Sequence, residues 1–182
     1  MKDITLEFGL LIAYAIPGAF ALFGISAYVP ELAVLLSQPD NQKWLSTALL
    51  LAGLSIALGM FVSVLRSLTI DASFLLPLPT AGTLRPHWGR VERVDPDYGA
   101  MKSKDVLAAL QDVRSTDKRP YQFYGNMLVA LAILEWSRLE QGRVAIAEGA
   151  LAVAVAFAFY LASRKSHYRY TQAVSALNAK DA

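Results

Sequence analysis

Two histidines, His87 and His167, and no cysteine are the whole supply of imidazole and thiol in this 182-residue chain. Without thiols there is no disulfide, no thiolate metal site and no cysteine nucleophile. Histidines so far apart do not form the helical H-E-x-x-H zinc motif, which needs two of them on one helix face. No glycine-rich phosphate loop is present, no serine-rich stretch pairs with a histidine inside an apolar segment, and no pair of aspartates lies in one. His87 stands in a proline-rich loop, where contact with solvent or an interface is its expected role. The sequence therefore predicts no catalytic residue, no metal and no cofactor, and the chain reads as a non-enzyme.

A different chemistry is offered by polar side chains inside long apolar stretches, which are costly in lipid and normally face protein or water. Asn126 lies five residues beyond the aromatic start at Tyr121. Glu135 and Glu148 flank a turn at Gln141, so an antiparallel hairpin brings them to similar depth. One reading pairs Glu135 with Arg138 at i+3 and Glu148 with Arg143 or Arg138. The other has these carboxylates ring the outer mouth of a symmetric oligomer and favour cations. Thr47, Ser55 and Ser63 share a four-residue row with Gly59. Such a stripe serves helix–helix contact or, in an oligomer, lines a pore.

The third group is cationic and aromatic. Arg85, Arg90, Arg93, Arg164, Lys165 and Arg169 are interleaved with His87, Trp88, Tyr168 and Tyr170. Guanidinium groups beside aromatic rings suit phosphate contact with base stacking, so an anionic nucleotide or oligonucleotide is one candidate ligand. The same composition also marks a bilayer anchor, and seven acids in 67–120 nearly cancel the cations of that segment.

The elements that must position these groups follow from four charge-free stretches, 8–30, 44–65, 120–134 and 149–163. The first two, of 23 and 22 residues, reach the length of about 20 that a helical membrane span requires. The other two, of 15, are too short alone, so their spans are expected to carry Glu135 and Glu148 into or close to the membrane. Hydrophobic residues make up 55% and charged residues 18% of the chain, with a mean hydropathy of +0.38. A soluble enzyme and a disordered chain are both excluded by that balance. The run from residue 8 exceeds the ~7–15 apolar residues of a signal peptide, and Lys2 is offset by Asp3 and Glu7, so a retained first span is expected.

The expected fold is an all-α integral membrane protein with four transmembrane helices, two in 1–66 and two in 121–163. A cytoplasmic loop over 67–120 and a helical cytoplasmic tail over 164–182 complete it. Pro17-Gly18 in the first span removes a backbone hydrogen bond, and a neighbour must satisfy the freed carbonyl. Gly9, Ala13, Pro17 and Ala21 give that span a small-residue face. Residues 67–84, broken by Pro77 and Pro79, read as an extended strip at an interface or against protein. A short amphipathic helix is expected from Ser103 or Asp105 to about Arg114, with Val106, Leu110 and Val113 on one face. The alternation within 149–162 also fits a strand, but a lone strand leaves its backbone unpaired in lipid, so a helix is expected. Its Ala150, Ala154, Ala158 and Ala162 form a smooth face, and Tyr170, Val174 and Leu177 line one side of the tail.

Four spans place 14 of the 17 lysines and arginines on the side of the termini and the long loop. The positive-inside rule then puts that side in the cytoplasm of a multi-pass inner (plasma) membrane protein. Small-residue faces on each helix favour a homo-oligomer. The layout is similar to that of small four-span membrane effectors of bacterial antiviral systems, though no motif identifies a family. It implies a channel-like pore gated through loop and tail by a ligand or partner. The alternative is a non-catalytic membrane anchor or scaffold that recruits a soluble cytoplasmic partner. A transporter is disfavoured, because the Pro-Gly break has no counterpart in the second half.

Overall fold

The computed structural model describes residues 2–37, 44–74, 94–97 and 104–179. Among these residues every regular element is a helix. The first, α1 (Lys2–Ser26), carries Pro17 in its interior. A proline there cannot donate to the carbonyl four residues back, which is that of Ala13. Asn126 supplies the missing donor from another helix, its Nδ2 lying 3.1 Å from the Ala13 oxygen. The carbonyl freed by Pro17 is thus satisfied by protein, as an apolar setting demands.

After a tight turn, α2 (Pro30–Ser37) departs at 118° from the direction of the Ile12–Ser26 part of α1. The next helix, α3 (Trp44–Ser73), runs for 30 residues. The sequence reading ended this segment at Leu65 and expected an extended strip from residue 67. Instead the helix continues through SLTIDAS, because no glycine or proline interrupts it before Pro77 and Arg66 finds a partner inside the protein. Helix α1 packs on α3 at backbone contact. A Cβ on Gly18 would collide with the Ser55 carbonyl, and one on Gly59 with the Tyr14 carbonyl. Ala13, Pro17 and Ala21 are buried with them, so the small-residue faces of these two helices are consumed within the chain.

The amphipathic helix α4 (Lys104–Val113) is followed without a break by a π-helical turn, Arg114–Lys118, and then by α5 (Arg119–Glu140). The widened turn has a local cause. Pro120 would clash with the carbonyl four residues earlier in an α-helix, and the π geometry, with the Arg119 N–H bonded to the Arg114 carbonyl, opens that spacing. Helix α5 is the hub of the bundle, packing against α1, α3 and α6 (Ile146–Asn178). The α5–α6 turn is closed by Gly142 at φ 65°, with the Gly142 N–H on the Leu139 carbonyl and the Arg143 N–H on that of Arg138. Those two bonds satisfy the last carbonyls of α5, and glycine takes the left-handed position without a Cβ penalty.

Helix α6 is one continuous rod through the expected fourth span and tail. At its far end Tyr170 and Val174, with Leu177 against them, meet Val106, Leu110 and Val113 of α4 in a small core. Each fully buried aliphatic side chain there contributes about 1.5–3 kcal/mol. The two amphipathic stripes read from the sequence are each other's partner.

Helices α3 and α6 are each long and apolar enough to cross a membrane, and the bent α1–α2 pair passes the same test as one broken span. Their outward faces carry Leu49, Phe61 and Leu68 on α3, and Ile146, Val153 and Phe157 on α6, all exposed. Helix α5 does not meet that test alone. Its polar residues Asn126 and Ser137 are buried against protein instead.

Candidate functional site

Two polar clusters cap the bundle at opposite ends of α5, with apolar packing around Ala21, Val62 and Ala130 between them. The first is built where the end of α3, the start of α5 and the middle of α6 converge. Arg66 enters from α3 and is almost wholly buried. Its Nη1 donates to both oxygens of Asp71, at 2.8 and 3.0 Å. The Tyr121 hydroxyl donates to the same carboxylate at 2.9 Å, and the guanidinium carbon lies 4.6 Å from the Tyr121 ring centroid. Room for the arginine stem comes from Gly125, where a Cβ would collide with its methylenes. An ion pair with little water around it gains from these added donors and the ring face, since desolvation otherwise opposes it.

Around this pair lies an aromatic shell. The His167 ring sits 4.9 Å from Tyr121 and 5.3 Å from Phe74, centroid to centroid. Arg164 is fully buried; its Nη1 donates to the Tyr160 hydroxyl at 2.9 Å and its guanidinium faces the Phe74 ring. The Ser163 hydroxyl donates to the Tyr121 carbonyl at 3.0 Å. Beside the shell opens a cavity of about 540 Å³, walled among others by Arg66, Asp71, Asp95, Lys118, Tyr121 and His167.

The second cluster is the α5–α6 hairpin. Arg138 bridges both carboxylates singled out in the sequence, with Nη1 3.1 Å from Glu135 and Nη2 2.6 Å from Glu148. Glu140 accepts from Tyr28 at 2.5 Å and from the Trp136 indole at 3.0 Å, which ties the α1–α2 turn to the end of α5. Between the clusters, α3 and α6 stand on either side of α5 and leave an apolar groove of about 1030 Å³. Leu65, Ile70, Leu128, Ala132, Ala152 and Ala156 are among its walls.

The sequence-derived candidates fall in several places. Asn126 is in the packed interior, bonded to Ala13. Ser55 is buried at the α1–α3 crossing, and Thr47 and Ser63 are half-buried on α3. Arg164 belongs to the aromatic shell and Tyr168 packs against it, whereas Lys165 and Arg169 are exposed. Arg85, His87, Trp88, Arg90 and Arg93 lie outside the described residues. Sequence reasoning did not single out Arg66, Asp71, Tyr121 or Tyr160. Arg66 and Asp71 are five apart, a spacing that no helical pairing rule selects. The usable signal was the unbroken run to Pro77, which places both on one helix.

Chemically, the first cluster fixes charge rather than moving it: a guanidinium is held by a carboxylate, a phenol and a ring. No group of three or more His, Asp or Glu among the described residues is placed to hold a metal ion. No protein-family model, curated protein or solved structure matches this chain.

Proposed function

We propose that the chain is a four-span, non-enzymatic inner-membrane protein in which an extramembrane module controls the α5–α6 hairpin of a homo-oligomeric, channel-like assembly. That module is α4 with the C-terminal end of α6. The observation that carries this reading is helical continuity. One rod runs from Lys104 to Glu140 through the π turn, and a second from Ile146 to Asn178. Both pass from the α4–α6 core into the hairpin, so any rearrangement of that core moves the hairpin helices as levers.

The placement of polar groups along α5 supports counting it as a fourth span. Tyr121 and Arg138 are 17 residues apart, about 26 Å at 1.5 Å per residue, close to the ~30 Å hydrocarbon core. Wrapped by α1, α3 and α6, α5 needs less apolar surface of its own than a helix facing lipid. The cation asymmetry favours a cytoplasmic side for the Arg66 end, both termini and the α4 module. Reporter fusions at Asp40 and Gly142 are expected to report the outside; cytoplasmic signals at both sites would reverse the topology. Association of copies uses the alanine face of α6, since Ala150, Ala154 and Ala158 are exposed while the corresponding faces of α1 and α3 are occupied.

Ion flux through proteoliposomes made from the purified chain tests the channel, and Glu135→Gln or Glu148→Gln is expected to change its selectivity. The scaffold reading keeps one specific observation in its favour: Arg138 already pairs with both hairpin carboxylates. Absence of flux together with a stoichiometric soluble partner that co-purifies through α4 and the tail would establish the scaffold.

A further inference from the structure

The cavity beside the Arg66–Asp71 pair has features the reading above does not use. Arg66 is only 5% exposed, and its Nη1 is engaged by Asp71, yet its Nε has no hydrogen-bond partner. A buried N–H without an acceptor is costly, and guanidinium is the side chain whose geometry best matches phosphate oxygens. Arg66 forms part of the cavity wall, and so does Lys118, brought there by the π turn with its Nζ 5.5 Å from the Tyr170 ring centroid. At about 540 Å³ the cavity falls in the range of small-ligand sites, ~300–1,000 Å³.

Charge narrows the ligand. Asp71, engaged by Arg66 and Tyr121, and Asp95 both line the cavity. A carboxylate there disfavours a phosphate dianion and tolerates a singly charged diester. Location narrows it again. The α3 wall includes Ser67, Leu68 and Ala72, and Leu68 is 68% exposed on the same apolar helix as exposed Val64. The cavity therefore opens at the border between the polar end and the apolar flank, where a headgroup sits when its acyl chains lie along the helix.

We propose that this cavity binds a phosphodiester group through Arg66 and Lys118, the group being that of a phospholipid headgroup or of a soluble diester. The site lies beside the module proposed to control the hairpin and would supply its ligand. Only the lipid arm of the test rests on the membrane placement proposed above.

The full-length protein is purified in detergent, and retained lipid is measured by native mass spectrometry after exchange with phosphatidylglycerol or with diacylglycerol of the same chains. Thermal unfolding is followed in parallel with the deacylated headgroup, glycerophosphoglycerol. Phosphatidylglycerol is expected to be retained roughly tenfold over diacylglycerol, and Lys118→Gln, which leaves the Arg66–Asp71 pair intact, to remove about that factor. If glycerophosphoglycerol alone stabilises the wild type and not Lys118→Gln, the site stands and its diester is soluble. Equal retention of the two lipids with no response to the headgroup overturns the proposal, as does a Lys118→Gln protein that behaves like the wild type in both assays. Neither readout involves flux, so a protein that conducts nothing yet retains phosphatidylglycerol selectively would separate this site from the channel reading.

Discussion

At each end of α5 an arginine is held by carboxylates, but the two arrangements differ in almost every physical respect. Arg66 and Asp71 are 6% and 26% exposed at the side chain, joined by two short bonds to one Nη, with a phenol and a ring completing the site. Arg138 is 36% exposed and divides itself between Glu135, on its own helix, and Glu148, 53% exposed on the next. The first pair is enclosed by three helices. The second closes a hairpin from outside. A buried pair is costly to assemble and far costlier to break, because removing one partner strands a desolvated charge. An exposed pair is screened and contributes little. The Arg66 end is thus the rigid end of the molecule and the Arg138 end the adjustable one.

That contrast is broken most directly at Asp71. Asp71→Ala is expected to cost about 3–5 kcal/mol, because it leaves Arg66 buried without its counter-charge. The decline should appear in detergent-solubilised unfolding curves. The double replacement Arg66→Met with Asp71→Leu is expected to recover much of it, and a double variant as unstable as the single one would mean the pair itself is indispensable. Next in size is Asn126→Ala, which orphans the Ala13 carbonyl freed by Pro17; a loss of about 1–3 kcal/mol is expected. Pro17→Ala in the same background should restore part of that loss, since the carbonyl then regains a helical donor. Arg138→Gln is expected to leave the unfolding midpoint within measurement error, and a shift comparable to that of Asp71→Ala would erase the distinction between the two ends.

The smallest effect concerns pH. Burial pushes the Asp117 carboxyl in the π turn above its usual range, opposed by Arg169 on α6 and reinforced by Asp112 on α4. A carboxyl with a raised native pKa binds its proton more tightly folded than unfolded. It therefore weakens the fold above that pKa, and the penalty is relieved as pH falls through it. Stability of the wild type should gain on mild acidification relative to Asp117→Asn, whose profile should be flatter over the same interval.

Periodicity and charge gaps made much of this architecture legible. The pairing of Val106, Leu110 and Val113 with Tyr170 and Val174 could be anticipated as two stripes, because burial leaves a helical repeat in the sequence. The need for a donor near Pro17 was legible as well, but its identity as Asn126 was not, since a contact between residues 13 and 126 leaves no local trace. The end of α3 was misplaced because Arg66 was treated as a boundary, whereas a charge with a partner in protein does not end a helix. The Arg66 cluster was legible only in its α3 part, since Tyr121 joins Arg66 and Asp71 through tertiary packing. The Arg138 bridge was readable because Glu135 and Arg138 are three apart on one helix and Glu148 lies just across a short turn.

The backbone contact at Gly18 and Gly59 has a consequence for how the protein meets bilayers of different thickness. Sliding α1 by one helical turn along α3 would bring Tyr14 or Leu22 to the place where Gly18 rests on the Ser55 carbonyl, and no side chain fits there. The two helices are therefore fixed in height relative to each other. A thinner or thicker membrane must be accommodated by tilting the α1–α3 pair as one body or by deforming the lipid around it. The Tyr28–Glu140 hydrogen bond joins the end of α5 to that pair through the α1–α2 turn.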